Sequence, residues 1–133
     1  MNSTITRFAP VVGRCMIALI FLLAGFQKIT GFTGTAAGMA SKGLPMAELL
    51  LVITIVIEFG GALMLILGWH ARLAAAALFL WIIPVSLVYH NFWAMEGMAQ
   101  TINQIMFLKN ISIMGAMLYI MAFGTGRYSL DKK

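Results

Sequence analysis

The sequence predicts an all-α integral membrane protein, a bundle of four helices, and three observations carry that reading. First, 62% of the 133 residues are hydrophobic and only 10% are charged, whereas soluble domains carry about 25% charged residues; the mean hydropathy is +0.96. A soluble domain of roughly 150 residues hides only about two-thirds of the surface of its unfolded chain, too little to keep this much apolar surface from water. Second, the apolar residues gather in four stretches, each close to the roughly 20 residues that cross a bilayer core. Third, Pro, Gly and polar residues collect between those stretches, where helices start and stop. Four spans and their connections make one transmembrane domain over residues 1–133.

The first span covers about residues 8–27, contains Arg14 and is closed by Gln27 and Lys28. Its rival reading, a secretory signal peptide, lacks a clean small-residue cleavage site before Lys28. The connection from Thr30 to Leu44 holds four glycines, with Phe32 and Met39 as apolar points, a pattern that suits a short helix lying in the membrane interface. The second span covers about residues 46–67, opened by Pro45 and closed by Gly68, residue types that suit a helix start and stop. Glu58 lies in its middle. The third, about 73–89, carries no charge, and Pro84 within it is tolerated because neighbouring helices can satisfy the freed carbonyl. Phe92 and Trp93 then fit the aromatic belt at the headgroup level. The fourth span, about 102–123, is interrupted by Lys109 and Asn110 and ends at Gly124-Thr125-Gly126, before a polar tail.

With four spans, both termini and the turn near His70 share one side. That side carries Arg7, Arg72, Arg127, Lys132 and Lys133, against Lys28 and Lys42 on the other, so the positive-inside rule places the termini in the cytoplasm. The formal charge of +5 is spread over single residues. Without a basic run to track phosphates, it speaks for topology and anionic headgroups rather than nucleic acid. Cys15 is the sole cysteine, so neither a CxxC pair nor a Cys/His quartet exists for zinc or an iron–sulfur cluster. The Met-rich spans read as packing, and no metal site is expected. No Ser/His/Asp or Cys/His arrangement, paired carboxylates or phosphate loop is present. No stand-alone catalytic site is expected, and any redox chemistry needs a borrowed cofactor.

Charged side chains inside a bilayer are costly, about 2.5 to 3.5 kcal/mol on insertion scales, so they usually face a bundle interior or cavity and mark function. At a rise of about 1.5 Å per residue, Arg14 lies roughly 6 Å inside the cytoplasmic end of span one, Glu58 roughly 15 Å and Lys109 roughly 22 Å. The carboxylate is thus expected between two cations, in a cluster of Arg14, Glu58, Lys109 and Asn110. Helical spacing puts Arg14, Ala18, Phe21, Gly25 and Lys28 on one stripe, Thr54, Glu58 and Gly61 on a second, and Lys109, Ser112 and Ala116 on a third. The Gly60-Gly61 step lets a neighbouring backbone approach. Two readings stand: the ions pin the bundle together, or their excess positive charge holds an anion, a lipid phosphate or a quinone carbonyl oxygen. Arg14 alone can also snorkel to headgroups. Lys28 reads as an interfacial anchor, and His90 as either an interfacial hydrogen-bonding group or a proton relay.

Arg14, Gly25-x-x-Lys28, Gly43-x-Pro45, Glu58 with Gly60-Gly61, Gly68, Arg72, His90 and Phe107-Leu108-Lys109-Asn110 with Gly115, in this order, resemble the DoxX family of small bacterial four-helix inner-membrane proteins. The ending Gly126-Arg-Tyr-Ser-Leu-Asp131 is similar too, so the likeness covers nearly the whole chain. The resemblance implies a multi-pass inner-membrane protein associated with redox systems, for which the family is named through quinone-linked sulfur oxidation. More distant relatives with a similar core are membrane chaperones or cargo receptors, a reminder that fold does not dictate chemistry.

The functional expectation is a subunit that binds a quinone or similar lipophilic molecule between its helices for a partner oxidoreductase on another polypeptide. Glu58 would accept a proton or hydrogen bond, Arg14 and Lys109 would hold its charge and polarise a carbonyl, Asn110 would orient the ligand, and His90 would lead to the outer face. The alternatives are a non-enzymatic scaffold or assembly factor, and a small transporter, which would need a homo-oligomer to form a pathway.

Overall fold

In lipid every backbone polar group must find a partner within the protein, so long apolar stretches become helices. The computed structural model describes residues 3–131 and has no strand among them. Helix α1 spans Ser3–Thr30. After it come α2, Phe32–Ser41, α3, Ala47–Ile55, a single π-helical turn, Val56–Gly60, and α4, Gly61–Leu67. Then follow α5, Ala71–Tyr89, a 3-10 turn, Phe92–Ala94, and α6, Gly97–Phe123. Four of these units are long and apolar enough to cross a membrane, with α3, the π turn and α4 forming one continuous span. Their lipid side is a sheath of exposed Leu, Ile, Val and Phe, such as Leu23, Val56, Leu80 and Ile105.

The expected short helix between spans one and two is α2, and α5 runs unbroken through Pro84. Helices α1 and α6 each begin five residues earlier than the apolar run suggests. Within α1, Tyr128 of the tail stacks on Phe8 with ring centroids 5.5 Å apart. Gly68 ends the second span in the left-handed region at φ 65°. A Cβ there would collide with Ser129 and crowd a guanidinium nitrogen of Arg14, so glycine serves both the turn and the close approach.

Helix α1 packs along the π turn and α4, α4 packs on α5, and α5 packs on α6. The main core gathers Ala18 and Phe21 from α1, Leu65 from α4, Leu78 from α5, and Met117 and Ile120 from α6. A smaller cluster holds α2 against α3 through Ala36, Met39 and Leu51. Helix α6 faces the core with Asn110, Met117 and Ile120, while Ser112 is exposed and Lys109 and Ala116 are half-buried. The expected stripe of Lys109, Ser112 and Ala116 is therefore turned away by about one residue, because the neighbouring positions supply larger apolar side chains and an amide that finds a partner on α5. The stripes of α1 and of the second span point inward as expected: Arg14, Ala18, Phe21, Gly25, Thr54, Glu58 and Gly61 are all buried.

Candidate functional site

Two glycines let the first two spans approach closely. A Cβ at Gly25 would lie 2.7 Å from Cβ of Phe59 and 3.1 Å from its backbone, so α1 meets the π turn at this point. One turn further along α1, Lys28 comes level with the turn. Its Nζ donates to Oε1 of Glu58 at 2.7 Å, the one ion pair among the described residues. The π turn adds a residue to the helical ring and reorients the side chains it carries, which is why such turns recur at functional positions. Glu58 is 7% exposed.

The expected cluster of Arg14, Glu58, Lys109 and Asn110 does not form. Arg14 stands eleven residues from Gly25, roughly 16 Å along the axis, and its guanidinium turns to the other end of α4. There it donates to Leu65 O at 2.6 Å and Ile66 O at 3.2 Å, and to Tyr128 O in the tail. It is 2% exposed, so it does not snorkel. Lys109 sits on α6 beyond α5, its Nζ beside Met106 Sδ at 3.7 Å. Asn110 donates from Nδ2 to Ser86 Oγ on α5 at 2.9 Å. Lys28, read from the sequence as an interfacial anchor, is the residue that neutralises Glu58. Its place one turn from Gly25 is the signal that identifies it, once Gly25 is taken as the contact point.

Above the Lys28–Glu58 pair opens a cavity of about 470 Å³, within the usual range of small-molecule sites. The pair and Thr54 line one wall, Trp81, Val85 and His90 another, and Met39 of α2 covers it. The walls are mostly apolar, with few polar groups. His90 Nδ1 lies 2.9 Å from Asn103 Oδ1 of α6, which fixes the ring at the outer rim. Thr54 Oγ1 donates to Leu50 O at 2.8 Å. Trp81 Nε1 is buried and has no hydrogen-bond partner. An orphaned donor of this kind costs about 1–3 kcal/mol, and an acceptor on a bound molecule would remove the cost. Sequence reading passed over Trp81, since a tryptophan in an uncharged span looks like packing.

At the opposite end, Arg14 belongs to a clasp. The tail returns over the α4–α5 connection, with Leu130 N–H donating to Leu67 O at 3.1 Å and Asp131 N–H to Gly68 O at 2.7 Å. The Asp131 carboxylate accepts from the backbone N–H groups of His70 at 2.6 Å and Ala71 at 2.9 Å, capping the start of α5 as a carboxylate does best. Lys132 and Lys133, counted above for topology, lie outside the described residues.

The DoxX family model matches residues 9–91. The chain is 37% identical to the inner membrane protein YphA of Escherichia coli, over 92% of this chain and 88% of that protein. It is 32% identical to the inner membrane protein YqjF of the same organism, over 92% and 88%. A Surfeit locus protein 4 homolog of Schizosaccharomyces pombe is 30% identical over the whole of this chain but only 44% of its own length. No solved structure matches.

Proposed function

The chain belongs to the DoxX family and is a multi-pass inner-membrane protein, and from that premise we propose that it binds a quinone or comparable lipophilic carbonyl compound in the cavity above Lys28 and Glu58 for a partner oxidoreductase. The observation that carries the reading is an apolar cavity with one ion pair and one unpaired indole donor in its walls. Apolar walls suit a ring and its lipid tail. A few fixed polar groups suffice to orient such a ligand. Lys28 Nζ, positioned by its hydrogen bond to Glu58, donates to one carbonyl oxygen, and Trp81 Nε1 is a second donor. The partner's redox centre supplies two electrons and the medium two protons for reduction to the quinol. This chain's own share is to bind, orient and exclude water; His90 at the rim offers a hydrogen-bonding step toward the aqueous face.

The roles expected of Arg14, Lys109 and Asn110 thereby pass to Lys28 and Trp81. We also place both termini in the cytoplasm, because Arg7, Arg72 and Arg127 gather at the terminal end.

The test is titration of the purified protein in lipid nanodiscs with a short-chain ubiquinone analogue, read by quenching of tryptophan fluorescence. Saturable quenching is expected, with the quenchable fraction lost in Trp81→Phe and affinity lowered about tenfold in Glu58→Gln, the weight of one charge-assisted hydrogen bond. Unsaturable quenching that is equal in all three proteins reports partition into lipid only. That result overturns the ligand reading in favour of a scaffold without a small molecule.

A further inference from the structure

We propose that the groove between α1 and α6 is a specific site for one anionic phospholipid, with its phosphate on Arg7 and Arg127 and one acyl chain lying between Gly13 and Ala116. This site is at the opposite end of the bundle from the cavity above Glu58 and stands independently of it. The helix order leaves the groove open: α6 packs on α5, and α1 packs on α4 and the π turn. A space of about 450 Å³ remains between α1 and α6, lined by Ala9, Gly13 and Ile17 on one side and by Ala116, Tyr119 and Phe123 on the other. A Cβ at Gly13 would meet nothing within 4 Å. In a membrane such a slot is filled by lipid.

Two guanidinium groups choose the kind of lipid. Thr6, Pro10, Gly13 and Ile17 follow the three-or-four-residue spacing that aligns side chains on one helix face, so the groove continues along α1 to its first turns. There Ser3, Thr4, Thr6, Arg7 and Arg127 line a polar space of about 480 Å³. Among the described residues neither arginine has a carboxylate partner, and two cations at the mouth of an apolar slot complement a phosphodiester above an acyl chain. Deeper, Arg14 also lines the groove. Its two terminal nitrogens are committed to backbone carbonyls, whereas its Nε is buried with no partner. A glycerol-ester carbonyl, which lies below the phosphate in a phospholipid, is an acceptor of the right kind and depth for that donor.

The experiment uses the full chain extracted in mild detergent and studied by native mass spectrometry, with added phosphatidylglycerol or phosphatidylcholine. One phosphatidylglycerol per chain is expected to persist, and phosphatidylcholine is expected to be lost readily. Arg7→Gln with Arg127→Gln should lower retention by roughly 25-fold, about fivefold for each basic residue near an anionic headgroup. Gly13→Leu, which leaves the charges untouched and replaces a poor helix former, should abolish retention by filling the slot. A phosphatidylglycerol with a photoreactive acyl chain reads the site without any variant: crosslinks should fall on α1 and α6 around Gly13 and Ala116. Equal retention of both lipids, retention unchanged in Gly13→Leu, or crosslinks elsewhere would overturn the proposal. So would a dimer that Gly13→Leu dissociates, because a second copy would then occupy the groove.

Discussion

Replacing Glu58 by glutamine keeps the shape of the side chain and removes its charge, and the structure sets the size of the response. The Glu58 side chain is 9% exposed and that of Lys28 is 28%, so the pair is largely desolvated at the carboxylate and partly wet at the amine. A glutamine oxygen can still accept from Nζ at the observed 2.7 Å. What is lost is the difference between a charged hydrogen bond, about 1.5–3 kcal/mol, and a neutral one, about 0.5–1.5. We expect Glu58→Gln to cost about 1–2 kcal/mol, because the hydrogen bond stays and only its charge assistance is lost. Lys28→Met is harsher. It strands a buried carboxylate, for which the measured range is about 3–5 kcal/mol. The double variant should cost less than the sum of the two, giving a coupling of about 1–3 kcal/mol. The assay is reversible unfolding in mixed micelles, followed by circular dichroism as denaturing detergent is added. If both single variants lie within 0.5 kcal/mol of wild type, or if the effects simply add, on the criterion of about 0.5 kcal/mol for independent sites, then the pair does not organise this part of the bundle.

Gly25→Ala places a methyl against the Phe59 backbone and should cost about 1–3 kcal/mol by overpacking, in the same unfolding assay, while also weakening the quinone analogue by moving Lys28 off Glu58. Asp131→Ala removes two hydrogen bonds to the start of α5 and should cost about 0.5–2 kcal/mol, the value of a helix N-cap, without changing analogue affinity; hydrogen exchange at Ala71 should rise. For topology, a fluorescent protein fused after the last residue should fold and an alkaline phosphatase fused there should stay inactive; the converse pattern would reverse the assigned orientation.

The spans were legible because their signal is length: four runs near twenty apolar residues can do little else in lipid. Azimuth was harder. In water the outward face of a helix is polar and betrays the inward one, but in a bilayer both faces are apolar, so neighbours such as Lys109 and Asn110 could exchange places in a sequence reading. Asn110 faces Ser86, and Lys109 does not share that face. The register of α1 against the second span was the other hidden quantity. Gly25 opposite Phe59 determines it and thereby separates Arg14 from Glu58 and joins Lys28 to it. The π turn left no mark in hydropathy at all, because it changes backbone hydrogen bonding and not composition.

The clasp at Arg14 carries a consequence for biosynthesis. Helices enter the membrane in the order in which they are made, and α1 to α4 can pair as soon as the second span has emerged, with Arg14 already on Leu65 O and Ile66 O. Its third acceptor, Tyr128 O, and the Asp131 carboxylate that caps α5 are translated only after all four spans. The segment that follows the fourth span thus closes a joint that α1 opens, and a chain cut before Tyr128 would insert all four spans yet leave Arg14 one acceptor short and α5 uncapped.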